Sequence, residues 1–204
     1  MKKEKKIGIM GGTFNPIHYG HLLLAEAARE FAGLDEVIFI PSGNPYMKDS
    51  EEIEDGVHRL AMASLAILSN PYFSVSDIEI KRNGNTYTYE TLEELKEKNP
   101  NAVFYFMIGA DNLFSIENWK YSDKIFSGCT LIAAARGKKT EDEIIRQVER
   151  LRERYHAKIL LLPEKKIDLS STEIREHLQA GKSVRYMTPE DVCSYIREHR
   201  LYQK

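Results

Sequence analysis

Apolar segments of strand length alternate with amphipathic segments of helix length along almost the whole chain, and that alternation leaves few folds open. The strand candidates are Lys6 to Met10, Glu36 to Pro41, Phe73 to Ile80, Ala102 to Gly109, Thr130 to Ala135 and Lys158 to Leu162. Helical patterns cover Leu22 to Ala32, Ile53 to Leu68, Glu90 to Lys98, Asn112 to Phe126 and Asp142 to Tyr155. Two more helices, near Thr172 to Ala180 and Pro189 to His199, follow the last strand. A strand that returns to its sheet through a helix runs parallel to its predecessor, so helices must cover both faces. The expected fold is α/β, a Rossmann-like doubly wound parallel sheet with a C-terminal helical segment. With 204 residues, 42% of them hydrophobic, the chain can bury a core without disulfides or a structural metal, and residues 1 to 204 read as a single domain.

Charge narrows the partners. Against 31 acidic side chains stand 29 Lys and Arg, a formal net charge of −2. That balance supplies no basic field for nucleic acid or an anionic membrane, whereas a small anionic ligand needs only a local cluster of cations. Cys129 and Cys193 form no CxxC pair and read as reduced, buried thiols. The N-terminal MKKEKKIGIM has too short an apolar run for a signal peptide, and no stretch is apolar enough to span a bilayer, so a cytoplasmic protein is expected. The sequence leaves a homo-oligomer open.

In open parallel sheets ligands sit at the carboxyl ends of the strands, so the loops after strands are where chemistry is expected. The first such loop is GGTFNPIHYGH, residues 11 to 21. Gly11 and Gly12 let backbone N–H groups approach a phosphate, Asn15-Pro16 makes a turn, and Gly20-His21 opens a helix whose N-terminus favours an anion. Two imidazoles, His18 and His21, can hydrogen-bond one phosphoryl group and stabilise charge developing on it. The alternatives are surface or capping histidines, or half a zinc site, for which no cysteine or third histidine stands at ligand spacing. AGKS, residues 180 to 183, ends like a P-loop but has Glu176 where a Walker A motif needs glycine, and no strand precedes it.

Three further stretches carry candidates. In DLSSTEIREHL, residues 168 to 178, Ser170 and Glu173 have capping-box spacing, while Ser171, Thr172 and Arg175 at a helix start would also suit a triphosphate. FMIGADNLFSIENWK, residues 106 to 120, runs through Gly109 to Asp111 and the only tryptophan, Trp119. Asp111 could accept ribose hydroxyls and Trp119 could stack on a heteroaromatic ring; a first-turn carboxylate and a core indole are the alternatives. Thr88 stands just ahead of a helix, as a receptor for a carboxylate or as a plain N-cap. The loop of residues 42 to 56 has the length of a functional connection.

GGTFNPIHYGH closely resembles the GGTFDPxHxGH signature of the HxGH nucleotidyltransferase superfamily, and LSSTEIR resembles its ISSTxIR motif with Leu169 for isoleucine. Together with IGADNL, the downstream Trp119, the YT segment at Tyr87-Thr88 and the closing VCSYIREHRLY, nearly the whole chain looks like a bacterial nicotinate-nucleotide adenylyltransferase. That resemblance implies transfer of AMP from Mg·ATP to nicotinate mononucleotide, with magnesium arriving on ATP. It implies His18, His21 and Arg175 as catalytic residues, and Gly11, Gly12, Thr13 and Phe14 as the walls of the nucleotide cleft. It further implies Gly109, Asp111, Arg136, Ser171 and Thr172 on ATP, and Lys48, Thr88 and Trp119 on the acceptor. Two departures stand out: Asn15 replaces the usual aspartate, and Pro45-Tyr46-Met47-Lys48 stands where the family often shows PPHK. A sister transferase with another acceptor and a non-catalytic nucleotide sensor are the competing readings.

Overall fold

The structure is a computed structural model that describes residues 4–44, 53–134, 139–163 and 169–203. Its elements run β1 (Lys5–Gly12), α1 (Tyr19–Ala32), β2 (Glu36–Pro41), α2 (Gly56–Ile67), β3 (Phe73–Val75), α3 (Thr88–Lys98) and β4 (Ala102–Gly109). They continue through α4 (Ala110–Ser115), a 3-10 turn (Ile116–Asn118), α5 (Ser122–Gly128), β5 (Thr130–Ala134), α6 (Glu141–Tyr155), β6 (Ile159–Leu162), α7 (Ser171–Gln179) and α8 (Glu190–Glu198). The strands form one six-stranded sheet of order β3-β2-β1-β4-β5-β6. The order reverses between β1 and β4, as the strand–helix rhythm of a doubly wound sheet requires. Residues cluster into two compact units, one of Met1–Met10, Ala25–Val37 and Tyr87–Ile167, the other of Gly11–Leu24, Ile38–Thr86 and Asp168–Lys204. No described helix is long and apolar enough to cross a membrane.

In the first unit β1, β4, β5 and β6 pair in parallel, with Ile7 opposite Phe104, Met107 opposite Ile132, and Ile132 opposite Leu160. Ile7, Ile9, Phe104 and Leu131 are buried on this sheet, so these strands read as continuous apolar runs rather than alternating ones. Helix α6 buries Ile144, Val148 and Leu151, an i, i+4, i+7 stripe, and starts with a capping box between Thr140 and Glu143. The Thr140 amide and hydroxyl donate to Glu143, which holds its carboxyl below the usual carboxylate range. Burial pushes the Cys129 thiol up to about 12, so it stays a small apolar core residue. In place of the single helix expected over Asn112 to Phe126 the chain forms two short helices around a 3-10 turn. Trp119 is extended at ψ 145 and Tyr121 left-handed at φ 51, and neither residue type announces a break.

In the second unit β3 is shorter than the expected Phe73 to Ile80. After Ser76 donates to the Phe39 carbonyl at 2.9 Å, the chain turns, with Lys81 N–H on Asp77 O at 2.9 Å. The apolar alternation persists because Ile78 remains buried in that turn. Helix α2 starts at Gly56 rather than Ile53, because the Asp55 carboxylate caps it by accepting the Val57 N–H at 3.0 Å. At the end of α7, Gly181 is left-handed at φ +64. There Lys182 N–H donates to His177 O at 2.8 Å and Gly181 N–H to Leu178 O at 3.1 Å. AGKS is therefore a helix C-cap of the Schellman type. Ile174, Val184 and Cys193 form a small core under Leu169, Leu178 and Met187.

Candidate active site

The glycine–histidine loop is built in the second unit at the end of β1, and Gly11 and Gly12 are the last strand residues rather than free loop. Phe14 follows in the left-handed region at φ 50, and the Asn15-Pro16 bond is cis. Phe14 is buried and meets the His21 ring edge-on, with centroids 5.0 Å apart at 90°. His18 is 2% exposed and stacks on His21 with centroids 3.7 Å apart. The His18 N–H donates to His21 Nδ1 at 3.3 Å, which leaves Nε2 to carry the proton of the neutral His21 ring. Gly20 is required for this packing, since a Cβ there would lie 2.9 Å from both Cε1 and Nδ1 of His18. The HxGH spacing thus stacks two imidazoles at the start of α1, where the helix dipole favours negative charge.

The second motif closes on this loop. Ser170 caps α7 by accepting the Glu173 N–H at 3.1 Å, so the capping reading of that serine holds. The Ser171 hydroxyl donates to the Pro16 carbonyl at 2.8 Å and Arg175 Nη1 to the Asn15 carbonyl at 3.0 Å. Arg175 Nη2 lies 3.5 Å from the Thr172 hydroxyl. Beyond α7, the buried Thr188 hydroxyl donates to Ile17 O at 2.7 Å, and Tyr19 N–H donates to Met187 O at 3.1 Å. Residues 15 to 19 are therefore held by side chains and backbone from 171 to 188. A guanidinium with donors to spare, a helix N-terminus and two imidazoles can jointly hold a polyphosphate.

Sequence reasoning missed Arg59. It is 2% exposed, and its guanidinium donates to the carbonyls of Glu54 at 2.8 Å, Thr13 at 2.9 Å and Gly43 at 3.1 Å. Burial lowers its pKa, with Tyr202, Asp55 and Glu79 opposing that shift. One cation thus braces the histidine loop and both flanks of the connection before α2. Backbone carbonyls leave no trace in a sequence, so GVHRLAMA gave no signal. Asn15 and Tyr202 were also missed as a pair: the Tyr202 hydroxyl donates to Asn15 Oδ1 at 2.9 Å. A cavity of about 630 Å³ in this unit is lined by Thr172, Arg175, Glu176, Glu54, Arg200 and Tyr202, among others.

The remaining candidates lie in the first unit. Gly109 ends β4 and caps α4 without a side chain, and Asp111 is exposed in the first turn of α4. Trp119 sits after the 3-10 turn, its ring edge-on to Phe106 at 6.3 Å. Its indole nitrogen is buried and meets no hydrogen-bond partner among the described residues. Thr88 is the first residue of α3, and Tyr87 precedes it as a cap without a side-chain bond, so the plain N-cap reading of Thr88 does not hold. Lys48, Arg136 and the Pro45-Tyr46-Met47-Lys48 departure lie outside the described residues. Among the described residues no group of three or more His, Cys, Asp or Glu side chains could hold a metal ion.

The cytidylyltransferase-like family model matches residues 9–177. A "Probable nicotinate-nucleotide adenylyltransferase" of Lachnoclostridium phytofermentans is 48% identical over 198 residues, covering 97% of this chain and 99% of the relative. A protein of the same name from a Thermoanaerobacter species is 42% identical over 205 residues, covering 100% of this chain and 97% of the relative. Among solved structures, the Plasmodium falciparum nicotinic acid mononucleotide adenylyltransferase complexed with NaAD superimposes with a TM-score of 0.79. It covers 97% of both chains at 24% identity, a likeness of fold.

Proposed function

The chain belongs to the cytidylyltransferase-like family and groups there with nicotinate-nucleotide adenylyltransferases, and on that premise we propose its reaction: transfer of AMP from Mg·ATP to nicotinate mononucleotide. The products are nicotinate adenine dinucleotide and pyrophosphate, a step of NAD biosynthesis, and the setting we propose is the cytoplasm. An oxygen of the acceptor phosphate attacks the ATP α-phosphorus in line; the bond to the bridging oxygen of the β-phosphate breaks, and pyrophosphate leaves with its electron pair. The acceptor oxygen is already anionic, so the chain need not supply a strong base. Its work is positioning and charge stabilisation.

His18 and His21 attend the reacting phosphoryl group, the Nδ1 contact of His21 leaving Nε2 as the donor of its neutral ring. Arg175, Ser171 and Thr172 hold the triphosphate, and the strand end at Gly11 and Gly12 with Thr13 and Phe14 shapes the nucleotide cleft. Gly109 and Asp111 are assigned to ATP, Asp111 to its ribose, and Thr88 and Trp119 to the nicotinate moiety. The buried indole N–H of Trp119 supports that assignment, because an aromatic acceptor with a carboxylate offers it a hydrogen-bond partner. Magnesium enters with ATP as part of that substrate and neutralises charge on the leaving pyrophosphate. By resemblance Arg136 joins the ATP set and Lys48 the acceptor set.

The observation that carries this reading is the meeting of the two motifs, with Ser171 and Arg175 seated on the carbonyls of Pro16 and Asn15 just ahead of His18. Pyrophosphate release by the purified protein with Mg·ATP tests it, using nicotinate mononucleotide, nicotinamide mononucleotide and phosphopantetheine in separate reactions. Release far higher with nicotinate mononucleotide is the expected result. Release only with another acceptor overturns the substrate, and none with any overturns the activity.

A further inference from the structure

We propose that Tyr202, at the C-terminal end of the described chain, is a positioning residue for adenylyl transfer that acts through Asn15 on Arg175; this rests on the reading above. Tyr202 is 8% exposed and Asn15 3%. The phenol hydroxyl donates to Asn15 Oδ1 at 2.9 Å, and the same oxygen accepts the Glu54 N–H at 3.1 Å. The Tyr202 N–H donates in turn to Glu54 Oε1 at 3.1 Å. These three bonds close a ring through Asn15, Glu54 and Tyr202. The main-chain carbonyl of Asn15 is the one that accepts Arg175 Nη1 at 3.0 Å, so the residue held by the ring also seats the catalytic guanidinium. Arg175, Glu54 and Tyr202 line the same cavity.

Two features say that the ring is built rather than incidental. Arg200 and Tyr202 both adopt the left-handed region, at φ 52 and φ 61, which non-glycine residues enter at a cost. Burial, reinforced by the Glu54 charge, holds the phenol far above its usual range, so it remains a hydrogen-bond donor. Asn15, which stands in place of the usual aspartate, serves the ring with a neutral amide oxygen that accepts both bonds.

The test is Tyr202→Phe, which keeps the ring and removes the donor, assayed alone and in an Arg175→Ala background. We expect kcat to fall about tenfold, the rate equivalent of one buried hydrogen bond. KM for ATP and for the acceptor should change by less than about twofold, and the Arg175→Ala background should show no further loss. Asn15→Leu, which removes the acceptor at similar volume, should reproduce the effect without adding to Tyr202→Phe. An unchanged kcat, or an equal fold loss in the Arg175→Ala background, overturns the proposal alone. An Arg175→Ala protein with full turnover overturns the assignment of Arg175 and this proposal with it.

Discussion

Replacing Arg59 by methionine removes three hydrogen bonds to carbonyls, those of Glu54, Thr13 and Gly43, while keeping most of the buried stem volume. Hydrogen bonds to a charged donor contribute about 1.5–3 kcal/mol each when intact. The three carbonyls belong to half-buried residues that water can reach once the guanidinium is gone, and removing a buried cation also relieves its desolvation. Counting about 1 kcal/mol per bond, the net loss is about 3 kcal/mol. Arg59→Lys should lose about 2 kcal/mol, because a single ammonium cannot reach three carbonyls arranged around a planar fork. Urea unfolding at constant pH reads both: the midpoint should fall in the order wild type, Lys, Met at unchanged m-value. A loss under about 1 kcal/mol for the methionine variant would show that the carbonyls rehydrate at no cost and that Arg59 braces nothing.

Trp119→Ala should raise the KM for nicotinate mononucleotide with the KM for ATP unchanged; an unchanged acceptor KM in steady-state kinetics removes the indole from the acceptor. Cys129 governs an alkaline limb of stability. Burial raises its folded pKa to about 12, so its stabilising contribution is complete below the ordinary thiol value of 9.0 and is lost as pH rises from there toward 12. In urea unfolding between about pH 8 and 10.5, Cys129→Ala should therefore lose stability less steeply than wild type, by up to about 1.4 kcal/mol per pH unit. Equal slopes would contradict the burial of that thiol.

The strand–helix rhythm was legible because every strand but β3 is an apolar run bounded by a helix with its own period. Where the sequence misled, the cause was local. FSVSDIEI keeps a period of two after the chain has left the sheet, since Ile78 is buried in a turn. NWKYSD breaks a helix at Trp119 and Tyr121 without glycine or proline. The residues proposed to handle phosphate stand out in the sequence because that chemistry needs particular side chains at fixed spacing, and Gly20 shows why the spacing is fixed. The residues that hold them were not. Arg59 addresses only backbone carbonyls, and Tyr202 reaches Asn15 across 187 positions, so neither leaves a local pattern.

The account stands on His18 and His21 acting on the phosphoryl group in flight rather than on bound ATP, and His18→Ala separates the two most directly. Measuring ATP affinity by equilibrium binding beside single-turnover AMP transfer, the account predicts turnover lower by roughly 10²–10³ with ATP affinity within a few-fold of wild type. Near-normal turnover, or a loss of ATP affinity that accounts for the whole defect, would contradict it.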